Sequence, residues 1–402
     1  MDRLNKKHKV NYNVDYVIDY PGFQSVYGVG LSVPLIAEWA LLDDKMLNKA
    51  NLYQSCLNFG DQIKKKIEYL KSRDSVDVII IYIPKEYELF TFFNDGNIHY
   101  DLHDYVKAFS VQRHISTQFI REKTIDSELD CQIAWALSLA IYVKAGRTPW
   151  ILSGLRTDTA FAGIGYSVDH IKTDNQTLIG CSHIYGADGQ GLRYKLSKIK
   201  DVTFDSKNNP YLSENEAYQL GLNIKELFFD SFKTLPQRVV IHKRFPFQKQ
   251  EIDGLTKCLG SAGVKDIDLI EITLEDRFRC FEYDRRLQID GYPVRRGVCF
   301  AINENTAYLY THGIAPSVKN ANLRYIQGGK SIPAPLKIVK HYGNGDLAQI
   351  ATEILGLSKM NWNSFGLYSK LPCTIQSSNA IARVGWLLSQ YEGVVYDYRN
   401  FM

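Results

Sequence analysis

Between Val76 and Pro84 the chain runs VDVIIIYIP, apolar and β-branched almost without a break. An unalternating run of that kind is the mark of a strand buried on both faces, and it demands a sheet with helices covering it. Helical pattern lies on either side. Leu57 to Leu70 precedes it, with Lys64, Lys65 and Lys66 on a solvated outer face, and three further segments follow. An open α/β sheet is therefore expected for the first part of the chain. In such sheets ligands sit beyond the carboxyl ends of the strands.

The three later segments lie between Asp101 and Trp150. Asp101 and Asp104 have the spacing of an N-cap and its N3 partner and open a short helix. On it His103 and Lys107 are four apart and share a face. Ser116-Thr117 has the pattern of a second helix start, with Gln118 in its first turn. Leu129 to Tyr142 is apolar nearly all round, as a buried helix is, and runs through Lys144 to a glycine stop at Ala145-Gly146. One His, two Lys and one Gln thus stand at or near helix ends, and two readings are open. In one, Lys107 is a solvated face residue and Lys144 a cation offsetting a helix C-terminus. In the other, the four converge on a pocket for a terminal phosphate.

Composition bounds the class without choosing between these readings. A chain of 402 residues can build two full cores, and 45% hydrophobic with 23% charged residues is ordinary for a soluble globular protein. No apolar run approaches the roughly 18–20 residues of a membrane span. The opening MDRLNKKHKV lacks the apolar core of a secretory signal. Seven scattered Cys, with no CxxC, fit reduced thiols and no zinc site, so a cytoplasmic location is expected. The net charge of +4 neither requires nor excludes nucleic acid.

After a break at Leu152 to Asp158 the order becomes three strands, helix, strand, helix, strand. The strands are Phe161–Val168, Thr177–Tyr185 and Leu192–Val202, then Arg238–His242 and Ile267–Thr273. The helices are one opened by Ser213, with Glu216 completing a capping box, and Gln248–Leu259. Leu347–Leu355 and Ser378–Ser389 close the chain as helices. Residues 1–35 look irregular, and Gly28-Val29-Gly30 lacks the strand–turn–helix context of a phosphate loop. The element order is that of an RNase H-like core. RNase H chemistry needs carboxylates at strand ends to hold two divalent ions.

Spacing and flanking words together resemble Argonaute proteins. His103, Lys107, the Ser116-Thr117-Gln118 word and Lys144 before Gly146 match the MID-domain pattern that binds a guide's 5′-phosphate. Histidine stands at His103 where eukaryotic members have tyrosine. FAGIGYSV, YGADGQGLRYKL, LPQRVVIHKRFPF and LPCTIQSSNAIARVGWLLSQYEG resemble the PIWI domain. The resemblance implies a Rossmann-like MID domain at residues 76–155 and an RNase H-like PIWI domain at 156–402. Residues 1–75 are then a segment packing on both. It adds Arg383 to the phosphate site, and a Mg2+ held against the phosphate by Gln118 and the carboxylate of Met402.

The same resemblance implies an inactive nuclease. Gly165 and Arg244 occupy the positions of the first two acids, and no Asp or His lies between Cys373 and Arg383 for the third. Asp158, Asp169 and Asp188 are the carboxylates from which an unorthodox metal site would have to be built. The absence of N-terminal and PAZ domains points to a short prokaryotic Argonaute. Such a protein loads a small 5′-phosphorylated guide RNA (or a DNA guide) and pairs it with single-stranded target DNA. It then activates an APAZ-containing effector partner in defence against plasmids or phages. That effector is sirtuin-like, a TIR domain or a nuclease. The alternatives are an active guide-dependent nuclease and a two-domain α/β enzyme acting on a phosphorylated metabolite.

Overall fold

The computed structural model describes residues 1–402 apart from 11–16, 33–34, 36–38, 44–46, 73–75, 128–129, 169–177, 187, 189–192, 285–287, 314–332, 365–368 and 389–393. Helix α1 (Leu52–Lys71) buries Phe59, Ile63 and Ile67, which fall on one face at helical spacing. They pack on Ile79, Ile81 and Ile83 of β1 (Ile79–Ile83) and on Leu102 and Val106 of α2 (Leu102–Gln112). Each such side chain contributes roughly 1.5–3 kcal/mol when taken from water. β1 is not covered equally on its two faces, as the unbroken apolar run suggests, because Tyr82 is 45% exposed.

The residues after Ser116 form β2 (Thr117–Arg121), paired in parallel with β1 from Ile79 opposite Thr117 to Ile83 opposite Arg121. This corrects the expected helix start. A β-branched and aromatic TQFIR segment beside an already formed isoleucine strand gains a full hydrogen-bond ladder there, which one more helical turn could not supply. Gln118 consequently projects from a strand. Helix α3 (Asp130–Lys144) is apolar all round because both of its sides are covered. Leu139 and Val143 enter the core of the large sheet, while Cys131, Ala134 and Ile141 meet Leu4, Tyr20 and Phe23. The segment expected to be irregular holds two short helices, Asp2–Asn5 and Phe23–Tyr27, and Tyr27 stacks on Tyr142 at 4.2 Å. Gly146, at φ +83°, closes α3 as the sequence predicts.

The second half is built on β3 (Thr159–Val168), β4 (Leu178–Tyr185) and β5 (Arg193–Ile199), an antiparallel meander. Helix α4 (Glu214–Phe232) leads to β6 (Arg238–Lys243), and α5 (Lys249–Ser261) leads to β7 (Asp266–Leu274). β6 lies parallel to both β3 and β7. β8 (Cys299–Asn303), β9 (Thr306–Leu309) and β10 (Leu336–Tyr342) extend one side of the sheet. Helices α6 (Leu347–Leu357) and α7 (Cys373–Val384) follow, then β11 (Val395–Asp397) and the short α8 (Tyr398–Phe401). The sheet order is β8-β9-β10-β7-β6-β3-β4-β5-β11.

Alternation along β3 and β6 sends side chains into two cores. Ala160, Ala162, Val239 and Ile241 face α4 and α5, whereas Phe161 and Val240 face α3, α6 and α7. A buried Arg238 ties β6 to Asp268 at 2.8 Å and to Glu353 of α6 at 2.5 Å. Ser213 caps α4 by accepting from the Glu216 amide at 3.3 Å. Glu216 does not complete the expected box, because its carboxylate accepts from the amides of Lys200 and Asp201. Ser213→Ala should therefore cost about 1 kcal/mol, read as a lowered urea midpoint, without touching the site described next. Among the described residues no helix is long and apolar enough to cross a membrane.

Candidate anion-binding and nucleic-acid site

The amino-terminal end of β2, the middle of α2, the last residue of α3 and the final helix α8 meet at one point, not beyond the carboxyl ends of the strands where the sequence pattern places a ligand. Asp101 caps α2 by accepting from the Asp104 amide at 3.1 Å, which sets the helix start and with it the position of Lys107. Lys107 is buried, 1% exposed. Its Nζ donates to the main-chain oxygens of Thr117 at 2.7 Å and Met402 at 2.6 Å, with Asn400 O at 3.5 Å. Lys144, also buried, donates to Gln118 Oε1. The Gln118 amide nitrogen is held in turn by Phe119 O at 2.7 Å.

These two lysines are a costly pair. Burial pushes the Lys107 ammonium well below its ordinary range, and the neighbouring Lys144 pushes it further. Burial also lowers Lys144 to about 8. Among the described residues their partners are the carbonyls of Thr117 and Asn400, the terminal carboxylate of Met402 and a side-chain amide, with no Asp or Glu side chain. Lys107 is offset by the terminal carboxylate of Met402, whereas Lys144 has an amide oxygen, so the pair keeps an excess positive charge that a bound anion relieves, and phosphate suits two ammonium donors.

His103 shares the α2 face but is half exposed, with Nδ1 at 3.3 Å from Asp104 Oδ1 and its ring 5.4 Å from that of Phe119. It makes no hydrogen bond to the other three predicted residues. Asp101, His103 and Asp104 place ligand-type atoms within 4.8 Å of one another, but Asp101 is already spent as the helix cap. Arg383 lies on α7, and its side chain is outside the described residues. The residues that sequence reasoning missed are Thr117 and Asn400. Asn400 Oδ1 accepts from Ser116 Oγ at 2.8 Å, fastening α8 to the start of β2. Arg399 reinforces this by donating to Gly146 O at 2.7 Å. Neither contact leaves a local pattern in the sequence.

Of the groups that the resemblance assigns to Mg2+, the Gln118 oxygen and one oxygen of the Met402 carboxylate are each taken by a lysine ammonium. Mg2+ requires about six oxygens at roughly 2.0–2.1 Å and is repelled by adjacent cations. The donor set in this arrangement does not fit it.

The nuclease positions are equally specific. The β3/β6 register pairs Gly163 with His242, so Gly165 and Arg244 stand two residues further along the two strands. A Cβ on Gly165 would lie 2.4 Å from the carbonyl carbon and oxygen of Ser378 on α7, and one on Gly163 would lie 2.0 Å from Thr374 O. No side chain fits at either glycine. Arg244 is exposed. Before it, buried Lys243 is paired with Glu251 at 2.7 Å, its Nζ 4.4 Å from the Phe247 ring centre. Asp158 is held through both oxygens by Arg156, at 3.1 and 2.9 Å. Asp188 is described on its turn, Asp169 lies outside the described residues, and no carboxylate cluster forms at these strand ends among the described residues.

No protein-family model matches the chain. The Argonaute protein of Aquifex aeolicus (strain VF5) is 22% identical over 324 residues, 80% of this chain and 40% of that protein. Among solved structures, Clostridium butyricum Argonaute bound to a guide DNA (5′ deoxycytidine) and a 19-mer target DNA gives a TM-score of 0.61. Identity there is 19%, over 84% of this chain and 41% of that one. Aa-Ago with externally bound siRNA gives 0.56 at 18% identity, over 90% of this chain and 49% of that one. The chain thus spans less than half the length of these relatives. It is homologous to Argonautes, at about the length of a short one, and has a MID–PIWI fold: a Rossmann-like part followed by an RNase H-like part.

Proposed function

We propose that this Argonaute homologue holds the 5′-phosphate of a short guide strand in the Lys107/Lys144 pocket, presents the guide for pairing with single-stranded DNA, and does not cut. One observation carries the reading: two buried lysines converge on the terminal carboxylate of Met402 and the amide of Gln118, with no Asp or Glu side chain between them among the described residues, where β2, α2, α3 and α8 meet. A grip on the end phosphate is independent of sequence, so base pairing is left to read the target. His103, at the mouth of the pocket on the α2 face, and Arg383 on α7 complete the phosphate site. In this reading residues 76–155 are the MID domain, 156–402 the PIWI domain, and 1–75 a segment packed against them.

The absence of cleavage follows from Gly165, whose place against α7 has no room for a carboxylate, and from the cation at Arg244. Any catalytic activity then belongs to an APAZ-containing effector partner, sirtuin-like, TIR or nuclease. The chain itself is the guided sensor in defence against plasmids or phages, with a small RNA as the guide and DNA as the target.

Fluorescence anisotropy with matched 5′-phosphorylated and 5′-hydroxyl oligonucleotides tests the grip. The phosphorylated strand should bind at least about tenfold more tightly, since one charge-assisted hydrogen bond contributes about 1.5–3 kcal/mol. Equal affinity would place the pocket elsewhere. A loaded guide with a fully matched labelled target should give no product after hours in Mg2+ or Mn2+. A discrete guide-dependent product would overturn the non-cleaving assignment.

A further inference from the structure

The cation that completes this pocket is part of the chain. Lys107 Nζ sits among the carbonyl oxygens of Thr117 and Asn400, at 2.7 and 3.5 Å, and the terminal carboxylate of Met402, at 2.6 Å, in the way a bound metal ion sits among oxygen ligands. The oxygen of Gln118 is engaged by Lys144. A divalent ion bonded to Met402 O would lie no farther than about 5 Å from Lys107 Nζ, with Lys144 beside it. Three positive centres would then share one small buried volume with a single carboxylate, that of Met402. We infer that the Lys107 ammonium is the built-in counter-ion of the pocket, standing where a divalent ion would stand, so that capture of a 5′-phosphate is independent of Mg2+.

The geometry explains why a lysine suffices. Its ammonium is a compact point charge with three donors. Two of these donors anchor it to the Thr117 and Met402 oxygens, which fixes the charge in place, and the third, which meets Asn400 O only at 3.5 Å, can turn to the phosphate. Lys144, at the end of α3, supplies the second donor, held by Gln118. Because Thr117 belongs to β2 and Met402 follows α8, the single ammonium also fastens the Rossmann-like part to the end of the chain. A metal ion in that place would do the same only while bound.

This inference rests on the phosphate-capture reading, and the experiment separates the two. Binding of 5′-phosphorylated and 5′-hydroxyl oligonucleotides is measured for the full chain in Mg2+ and in EDTA, together with Lys107→Met, which keeps the unbranched stem, one atom shorter, without the charge. Mn2+ uptake by each complex is followed by electron paramagnetic resonance. The wild-type preference for the phosphorylated strand should change by less than about threefold between Mg2+ and EDTA. Lys107→Met should lose at least about tenfold of it in EDTA, the loss of one charge-assisted bond. Mn2+ uptake should be the same with either strand. A tenfold fall of the wild-type preference in EDTA, or one extra Mn2+ taken up only with the phosphorylated strand, would overturn the inference and leave phosphate capture intact. A Lys107→Met chain as selective as wild type in EDTA would overturn it too. No preference for the phosphorylated strand under any condition would overturn the capture reading and this inference with it.

Discussion

Replacing Lys107 and Lys144 together by Ala should weaken binding of a 5′-phosphorylated strand by about a hundredfold or more, and leave a 5′-hydroxyl strand nearly unaffected. Each lysine contributes a charge-assisted bond of about 1.5–3 kcal/mol in a site already stripped of water. The fold should survive the change, because the relief of two buried like charges offsets the loss of the bonds that Lys107 makes to Thr117 and Met402, and Ser116 and Arg399 still fasten α8. Burial holds Lys144 at about 8, below its unfolded value, so between pH 8 and the ordinary lysine range the unfolded chain binds the extra proton. The two lysines, both lowered by burial, therefore contribute stability that rises with pH across that window, and this contribution should disappear when both are replaced. Anisotropy on both strands, with thermal melts at pH 7 and 9.5, checks both halves. Equal loss of affinity for both strands would show that the two lysines support the fold rather than a phosphate.

The second large effect is structural. Gly165→Asp, the substitution that restores the first acid of the nuclease pattern, should cost more than about 4 kcal/mol and yield no cleaving enzyme. Its Cβ would meet the Ser378 carbonyl at 2.4 Å, and α7 cannot retreat without exposing Ile375 and Ile381, both fully buried. Arg244→Asp, at an exposed site, should change stability by less than about 0.5 kcal/mol and likewise restore nothing alone. Urea unfolding of the two variants separates these expectations. A Gly165→Asp protein with the wild-type midpoint would show that β3 and α7 are not held as closely as described.

What could be read in advance was whatever a short window contains. The strands β3, β6 and β7 and the helices α4 and α5 announce themselves by alternation, helical spacing and the Ser213 cap. The closing helix α7 begins at Cys373, five residues before the expected Ser378. Pro372 is its N-cap, and Ser377 and Ser378 bond back to the carbonyls of Cys373 and Thr374 inside it. Such serines resemble a helix start when seen locally. Ser116-Thr117 was misleading for the same reason, since the partner that makes it a strand, Ile79, lies far back in the chain. The four-residue spacing of His103 and Lys107 was visible, but not the burial of Lys107, whose oxygen partners include Asn400 and Met402 at the far end of the chain. Gly165 stands where the resemblance implies an acid. Only the packing of α7 shows that the glycine is also required.

The most direct measurement is of what the protein carries. The full chain is purified from an expressing bacterium, its bound nucleic acid is extracted, and the 5′ ends are labelled with and without prior phosphatase treatment. Capture through Lys107 and Lys144 predicts short single strands that label only after phosphatase, absent from the double lysine variant. Strands that label without phosphatase, strands retained equally by the variant, or a protein that purifies with a small phosphorylated metabolite in place of nucleic acid would contradict it.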